Sequence, residues 1–255
     1  MARNVPYENR YHTVETIYKY AEWSLYVSVV FSIMTLALTK KWVNYHNDTL
    51  VKILNTLTII LAIGYFLSDI IANYIFQSAE NIKRKDLIDH SLSTQLADQN
   101  SVDYFTNNEI APGIYKLGVN IFESNFFSKN IAEKMIWPAL RKVLLIILVF
   151  TVATLWADNE GMTTILQMAL PYTIVQQFIR LLYYKHRLSG VYDTFVTIFQ
   201  MPKNGKQSNL LLYNAMTYDS THAWASIKLS QRLYDTWNNA LTAEWAALKQ
   251  RLNIQ

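Results

Sequence analysis

The sequence predicts a mainly α-helical membrane protein, with four transmembrane helices in two hairpins, a helical cytoplasmic domain, and assembly as a homo-oligomer. Three observations carry this expectation. The 255-residue chain is 51% hydrophobic and 16% charged, whereas soluble domains carry about 25% charged residues. Its apolar residues gather into four long runs instead of spreading evenly. The remaining polar segments are extensive enough to fold around a modest core of their own. The absence of cysteine excludes disulfides, thiolate metal sites and cysteine nucleophiles. A net charge of +4 permits an anionic partner without requiring one.

Residues 1–22 read as a polar, tyrosine-rich cytoplasmic segment carrying Glu8, Glu15 and Glu22. Crossing the hydrocarbon core takes about 17–25 mostly apolar residues in a helix. Residues 23–39 carry no charge between Glu22 and Lys40. This run ends at Lys40-Lys41-Trp42 without a small-residue cleavage site, unlike a removed signal peptide. Residues 53–79 form the second run, between Lys52 and Glu80, with Asp69 as its one ionisable group. The connection is short, about a dozen residues, which makes 23–79 an antiparallel hairpin.

The middle segment, 80–140, is expected to be irregular over 98–113, where Asn107-Asn108 and Pro112-Gly113 are turn formers. A helix-compatible stretch over 114–135 follows. The second hairpin, 141–184, holds an uncharged run over 143–157, long enough to span if Arg141 and Lys142 snorkel. Its other run covers 161–179, up to Arg180, and Asp158-Asn159-Glu160 joins the two. The tail, 185–255, breaks at Pro202 and Asn204-Gly205. It then places Tyr234, Trp237, Leu241, Trp245, Leu248 and Leu252 at helical spacing. That stripe suits either packing on the chain's own cytoplasmic domain or a seam between subunits.

Lysine and arginine near the span ends set the orientation. They mark the N-terminal segment (Arg3, Arg10, Lys19), both ends of the middle segment (Lys83-Arg84-Lys85; Lys134, Arg141, Lys142) and the tail (Arg180, Lys185, Arg187, Lys203, Lys206). The expected location is the bacterial inner membrane, multi-pass, with both termini cytoplasmic. Lys40, Lys41 and Lys52 in the first loop are a smaller counterweight. Trp42, Tyr45, Trp137 and Trp156 fall where interfacial aromatics belong.

Asp69 is the most informative residue, because a carboxylate near the middle of a membrane helix costs about 2.5–3.5 kcal/mol and should face protein or water rather than lipid. Asn73 and Gln77 follow at i+4 and i+8, while Thr58, Ala62 and Tyr65 precede it on or near the same face. One reading is a conduit in which several copies ring Asp69 around an axis. The other is interhelical glue, with Asp69 bonded to Gln176, Thr173 or another polar residue of the fourth span. Pro171, among Gln167, Thr173, Gln176 and Gln177, can bend that span and serve as a gate. Four helices are too few to enclose a wide pathway alone, so a pore requires oligomerisation, with a tetramer among the options.

Catalytic motifs are missing, and no cofactor or metal is expected. His12, His46, His90, His186 and His222 lack metal-ligand spacing, and His90 beside Asp89 and Ser91 has no triad geometry. Lys83, Arg84 and Lys85 suit a topology signal against anionic lipid. With Tyr104, Phe105, Tyr115, Lys116, Phe126, Phe127, Lys129, Lys203 and Lys206 they also interleave cations and aromatics, as a nucleotide or single-strand site does. The plainer reading is a core beneath a solvated surface.

The stretches DLIDHSLSTQL (86–96) and YFTNNEIAPGIYKLGVNIFESNFFSKNIAEKM (104–135) resemble the cytoplasmic core of bacterial four-transmembrane effectors of anti-phage defence. Those effectors are encoded beside nucleotidyltransferases, as in Hailong-type systems. The likeness covers about residues 20–200, including the paired-span layout. It implies an oligomeric, channel-like effector whose state is set by an oligonucleotide or cyclic nucleotide made by the partner enzyme. In the Hailong arrangement a DNA oligomer holds the channel closed and its loss depolarises the membrane. In cyclic-oligonucleotide systems the ligand activates. The alternative is a non-conducting membrane scaffold or sensor that recruits a partner through its cytoplasmic domain.

Overall fold

The computed structural model describes residues 5–39, 47–102, 104, 107–155 and 161–254, with the side chains of 36, 149–150, 153–155 and 161–172 outside the described set. The described residues are mainly helical and form α1 (Glu8–Thr39), α2 (Asp48–Leu92), α3 (Ile114–Leu155), α4 (Gly161–Phe199), α5 (Gly205–Ala225) and α6 (Gln231–Arg251). Two of these, α1 and α2, are long and apolar enough to cross a membrane. The third and fourth expected spans fall within α3 and α4, partly on residues outside the described set, as do Trp42, Tyr45, Trp156 and the 158–160 link.

Helices run further than charge alone marks. The polar segment before residue 23 is helical from Glu8, since Tyr11, Val14, Ile17 and Tyr18 supply a face that packs on Ala72, Ile75 and Phe76 of α2. α2 continues through Lys83-Arg84-Lys85 to Leu92, because nothing from Lys52 to that point breaks a helix except the single glycine Gly64. α3 passes through Pro138 without ending.

The chain divides into two compact units. Unit 1 comprises Met1–Asn9, Gln77–Pro138 and Ile179–Gln255; unit 2 comprises Arg10–Phe76 and Ala139–Phe178.

Unit 1 is a helical domain around an aromatic core. Phe122 of α3 lies 5.2 Å from Phe195, 5.4 Å from Phe199 and 5.1 Å from Trp245 of α6, ring centre to ring centre. Leu241, Trp245 and Leu248 are buried, so the α6 stripe is spent on its own unit. Outside that core, Lys134 Nζ sits 3.4 Å above the Trp237 ring. α5 runs back along α4 in antiparallel register, with Gln207 Nε2 donating to Ile198 O at 3.1 Å and Asn214 Nδ2 to Val191 O at 2.9 Å. It also crosses α3 so closely that a Cβ on Gly118 would stand 2.7 Å from Leu211 Cδ2. Asn204 caps α5, accepting from the Gln207 amide at 3.0 Å.

Unit 2 is a bundle whose exterior is apolar. Ile60, Ile63, Phe66, Leu67 and Ile70 of α2, Val30 of α1, and Leu144, Leu145 and Leu148 of α3 are all exposed. Its interior contacts include Val14 with Ala72 and Phe76, and Leu25 with Val143 and Ile174, flanked by Tyr65.

Candidate functional site

Polar side chains of unit 2 collect in a belt that crosses its helices. Asn73 Nδ2 donates to Asp69 Oδ2 at 3.1 Å, and the Tyr18 hydroxyl donates to Asn73 Oδ1 at 3.3 Å. Gln177 Nε2 donates to the Tyr65 hydroxyl at 2.8 Å. Lys142 Nζ donates to Glu22 Oε1 at 2.8 Å and lies 5.6 Å from the Tyr26 ring centre. Four helices therefore contribute: Tyr18 and Glu22 from α1, Tyr65, Asp69 and Asn73 from α2, Lys142 from α3, and Gln177 from α4. On α2 the three residues fall at i, i+4 and i+8, which puts them on one face.

The register of α1 on α2 fixes where Asp69 stands. Tyr18 meets Asn73, and Leu25 shares a cluster with Tyr65. Asp69, midway between Tyr65 and Asn73, is therefore level with Glu22, the last charge before the apolar run of α1. The uncharged part of α2 between Lys52 and Asp69 is about 25 Å long at 1.5 Å per residue, close to the roughly 30 Å of a hydrocarbon core. Beyond Asp69 the apolar surface of α2 continues through exposed Ile70, Ile71 and Tyr74. Run length in sequence carries no register, and this pairing of α1 with α2 was not visible there.

The other pore and gate candidates are placed as follows. Thr58 bonds back to Leu54 O at 2.9 Å. Gln176 is exposed on α4. Gln77 belongs to unit 1, where Nε2 donates to Ser226 Oγ at 2.7 Å. Of Pro171 and Gln167 only the helical backbone is described.

Most of the ligand candidates in unit 1 have partners within it. Lys83 lies 3.9 Å from Glu80, and Arg84 Nε donates to Asp219 Oδ1 at 2.7 Å. Lys129 caps the Tyr192 ring at 4.2 Å and Lys203 the Tyr115 ring at 4.5 Å. Tyr104 meets Tyr7 edge-on at 6.0 Å. Lys116 is buried, while Lys85 and Lys206 are exposed. Phe126 packs in the core against Trp245, 5.8 Å away, and Phe127 against Tyr234. Phe105 lies outside the described residues.

The DLIDHSLSTQL stretch holds a loop together. Asp89 accepts from the Thr94 hydroxyl at 2.6 Å and from the amides of Leu96 and Ala97, each at 2.8 Å. Asp86 accepts from both the amide and the hydroxyl of Ser101, at 2.8 and 2.6 Å. Burial works to raise the Asp89 pKa, but the hydrogen bonds from Thr94, Ala97 and Leu96 outweigh it and hold the carboxyl below its usual range. His90 Nε2 sits 2.9 Å from Ser101 O, anchored in the same loop. Gly113, at φ +153°, turns the chain into α3 while its amide donates to Ser91 O at 2.9 Å.

A second buried polar group joins α3, α4 and α5. The Tyr184 hydroxyl is 2.9 Å from His222 Nε2, and the Ser128 and Tyr218 hydroxyls are 3.3 Å apart. Burial lowers the His222 pKa to about 4 and raises that of Tyr218 to about 12. In sequence His222 is one of five scattered histidines, and its i+4 spacing from Tyr218 is the available signal. Among the described residues no group of three or more acidic or histidine side chains could hold a metal ion. Compared with protein-family models, with curated proteins and with solved structures, the chain matches none.

Proposed function

We propose that this chain is a multi-pass protein of the bacterial inner membrane with four crossing helices and cytoplasmic termini. Several copies assemble into an ion-conducting effector of anti-phage defence, gated by an oligonucleotide or cyclic nucleotide made by a partner nucleotidyltransferase. The observation that carries the membrane reading is the apolar exterior of unit 2. Exposed to water, so many contiguous large aliphatic side chains would drive association; in lipid they need no cover.

The channel reading adds the polar belt. Asp69 is only half-buried by its own chain, and Gln176 and Gln177 are exposed nearby in sequence to the Tyr65 contact. Within a membrane-spanning helix the uncovered part of a carboxylate calls for water or another copy. A ring of Asp69 carboxylates there favours cations along a pore. The oligonucleotide arm rests on the resemblance of residues 86–96 and 104–135.

Electrical recording from the purified protein in planar bilayers tests this proposal. Conductance should respond to added oligonucleotide, and Asp69→Asn should weaken cation preference. A silent protein under both conditions would sink it. The scaffold reading draws on a different observation: Asp69 and Asn73 are bonded to each other and to Tyr18, as glue between helices would be. An assembled protein without conductance favours that reading.

A further inference from the structure

We propose that Tyr183 and Trp224 form an anchor by which α5, a helix outside the apolar runs, grips the headgroup layer of an anionic bilayer. This inference rests on the membrane reading proposed above.

The antiparallel register of unit 1 delivers Trp224 to a particular end of that unit. From Gln207–Ile198 through Asn214–Val191 to His222–Tyr184, advances of seven and eight residues along α5 match retreats of seven along α4. The series ends with the Tyr183 and Trp224 rings 4.8 Å apart. Two side-chain bonds to α2 fix the same end of α5: Gln77 to Ser226 at 2.7 Å and Arg84 to Asp219 at 2.7 Å. Ile179 and Gln77 are where α4 and α2 join unit 1 from their apolar runs.

The aromatic pair is not spent on the core. Trp224 is 59% exposed and Tyr183 45%, alongside Ile179 at 58%. The exposed face of α4 reads Ile179, Leu182, Tyr183, His186, Arg187. With half-buried Arg180 beside its first residue, over about 12 Å of helix its exposed positions pass from aliphatic to aromatic to basic. A bilayer presents the same order of partners: acyl chain, headgroup boundary, phosphate. Tyrosine and tryptophan concentrate at that boundary because each ring is apolar with one polar tip. A guanidinium one turn further out complements anionic phosphate. Charge complementarity and this graded order both select a lipid surface.

The chain has no cysteine, so Ala223→Cys, beside Trp224, introduces a unique thiol for a spin label. The full chain is reconstituted in phosphatidylcholine vesicles with phosphatidylglycerol, and label collisions with oxygen and with a water-soluble nickel chelate are compared. Labels at Ile63→Cys and Asn209→Cys give the lipid and water limits. The label at 223 should fall between them. Trp224→Ala or Arg187→Gln, made in the Ala223→Cys background, should shift it towards the nickel-accessible limit. Nickel access at 223 equal to that at 209, with 63 still in lipid, overturns the anchor and leaves the membrane reading standing. Dipolar broadening at 223 would show a second copy covering the site and also overturns it. Nickel access at 63 ends the membrane reading and the anchor together.

Discussion

His222 and Asp89 tie the stability of unit 1 to pH in the same direction. Burial holds the His222 imidazole at about 4 against its usual 6.5. As pH falls, the unfolded chain takes up that proton first. The contribution of His222 is therefore intact above pH 6.5 and lost progressively down to pH 4, by at most about 3 kcal/mol at 1.36 kcal/mol per unit. Asp89, held below its usual 3.8, adds a loss that begins only below that value. Thermal melts of the full chain in detergent should show a falling midpoint between pH 6.5 and 4. His222→Phe should flatten that interval and leave the steeper loss below it. A wild-type midpoint that is constant from pH 7 to 4.5 contradicts the buried neutral imidazole. Two apolar changes probe the core. Trp245→Ala should cost about 3–5 kcal/mol, as large-to-small core changes do. Gly118→Ala should cost about 1–3 kcal/mol, because Leu211 is itself fully packed and cannot withdraw. Denaturant titrations followed by far-UV circular dichroism measure both, and a neutral Gly118→Ala would mean that α3 and α5 do not cross so tightly.

At the scale of elements, the punctuation of the chain was legible where backbone chemistry dictates it. Pro112-Gly113 precedes α3 because only a residue tolerant of positive φ makes that turn, and Asn204 starts α5 because its side chain satisfies an otherwise orphaned amide. Asn204→Ala should accordingly lower stability by about 1 kcal/mol in the same titrations, and no change would remove the cap from the account. The α6 stripe was legible as buried, though its partner was not: Phe122 and Phe126 of α3, which receive Trp245, lie far away in sequence. Other boundaries were hidden for a different reason. Charges at Glu15, Glu22 and Lys83–Lys85 signal water contact, and helices readily continue into water, so neither the start of α1 nor the end of α2 could be read from them. The position of Asp69 level with Glu22 depends on the pairing of α1 with α2, which a run of apolar residues does not encode. The aspartates of the 86–96 stretch carried a signal that invited chemistry, whereas their oxygens are occupied by loop amides and hydroxyls.

For the whole molecule, the two units divide their apolar surface in opposite ways. Unit 1 gathers Phe122, Phe195, Phe199 and Trp245 into a buried core and pairs much of its charge. Unit 2 places aliphatic side chains outside and ties its helices through Glu22–Lys142, Tyr65–Gln177 and the Tyr18–Asn73–Asp69 chain. The proposed function depends on lipid covering that exterior and on further copies meeting at the half-buried Asp69. Imaging of the full chain assembled in lipid nanodiscs measures this most directly. The expected particle is a closed ring of copies with Asp69 and Asn73 facing a water-filled axis. A single copy or pair with no axial passage, its Asp69 enclosed in dry protein contact, would contradict the account.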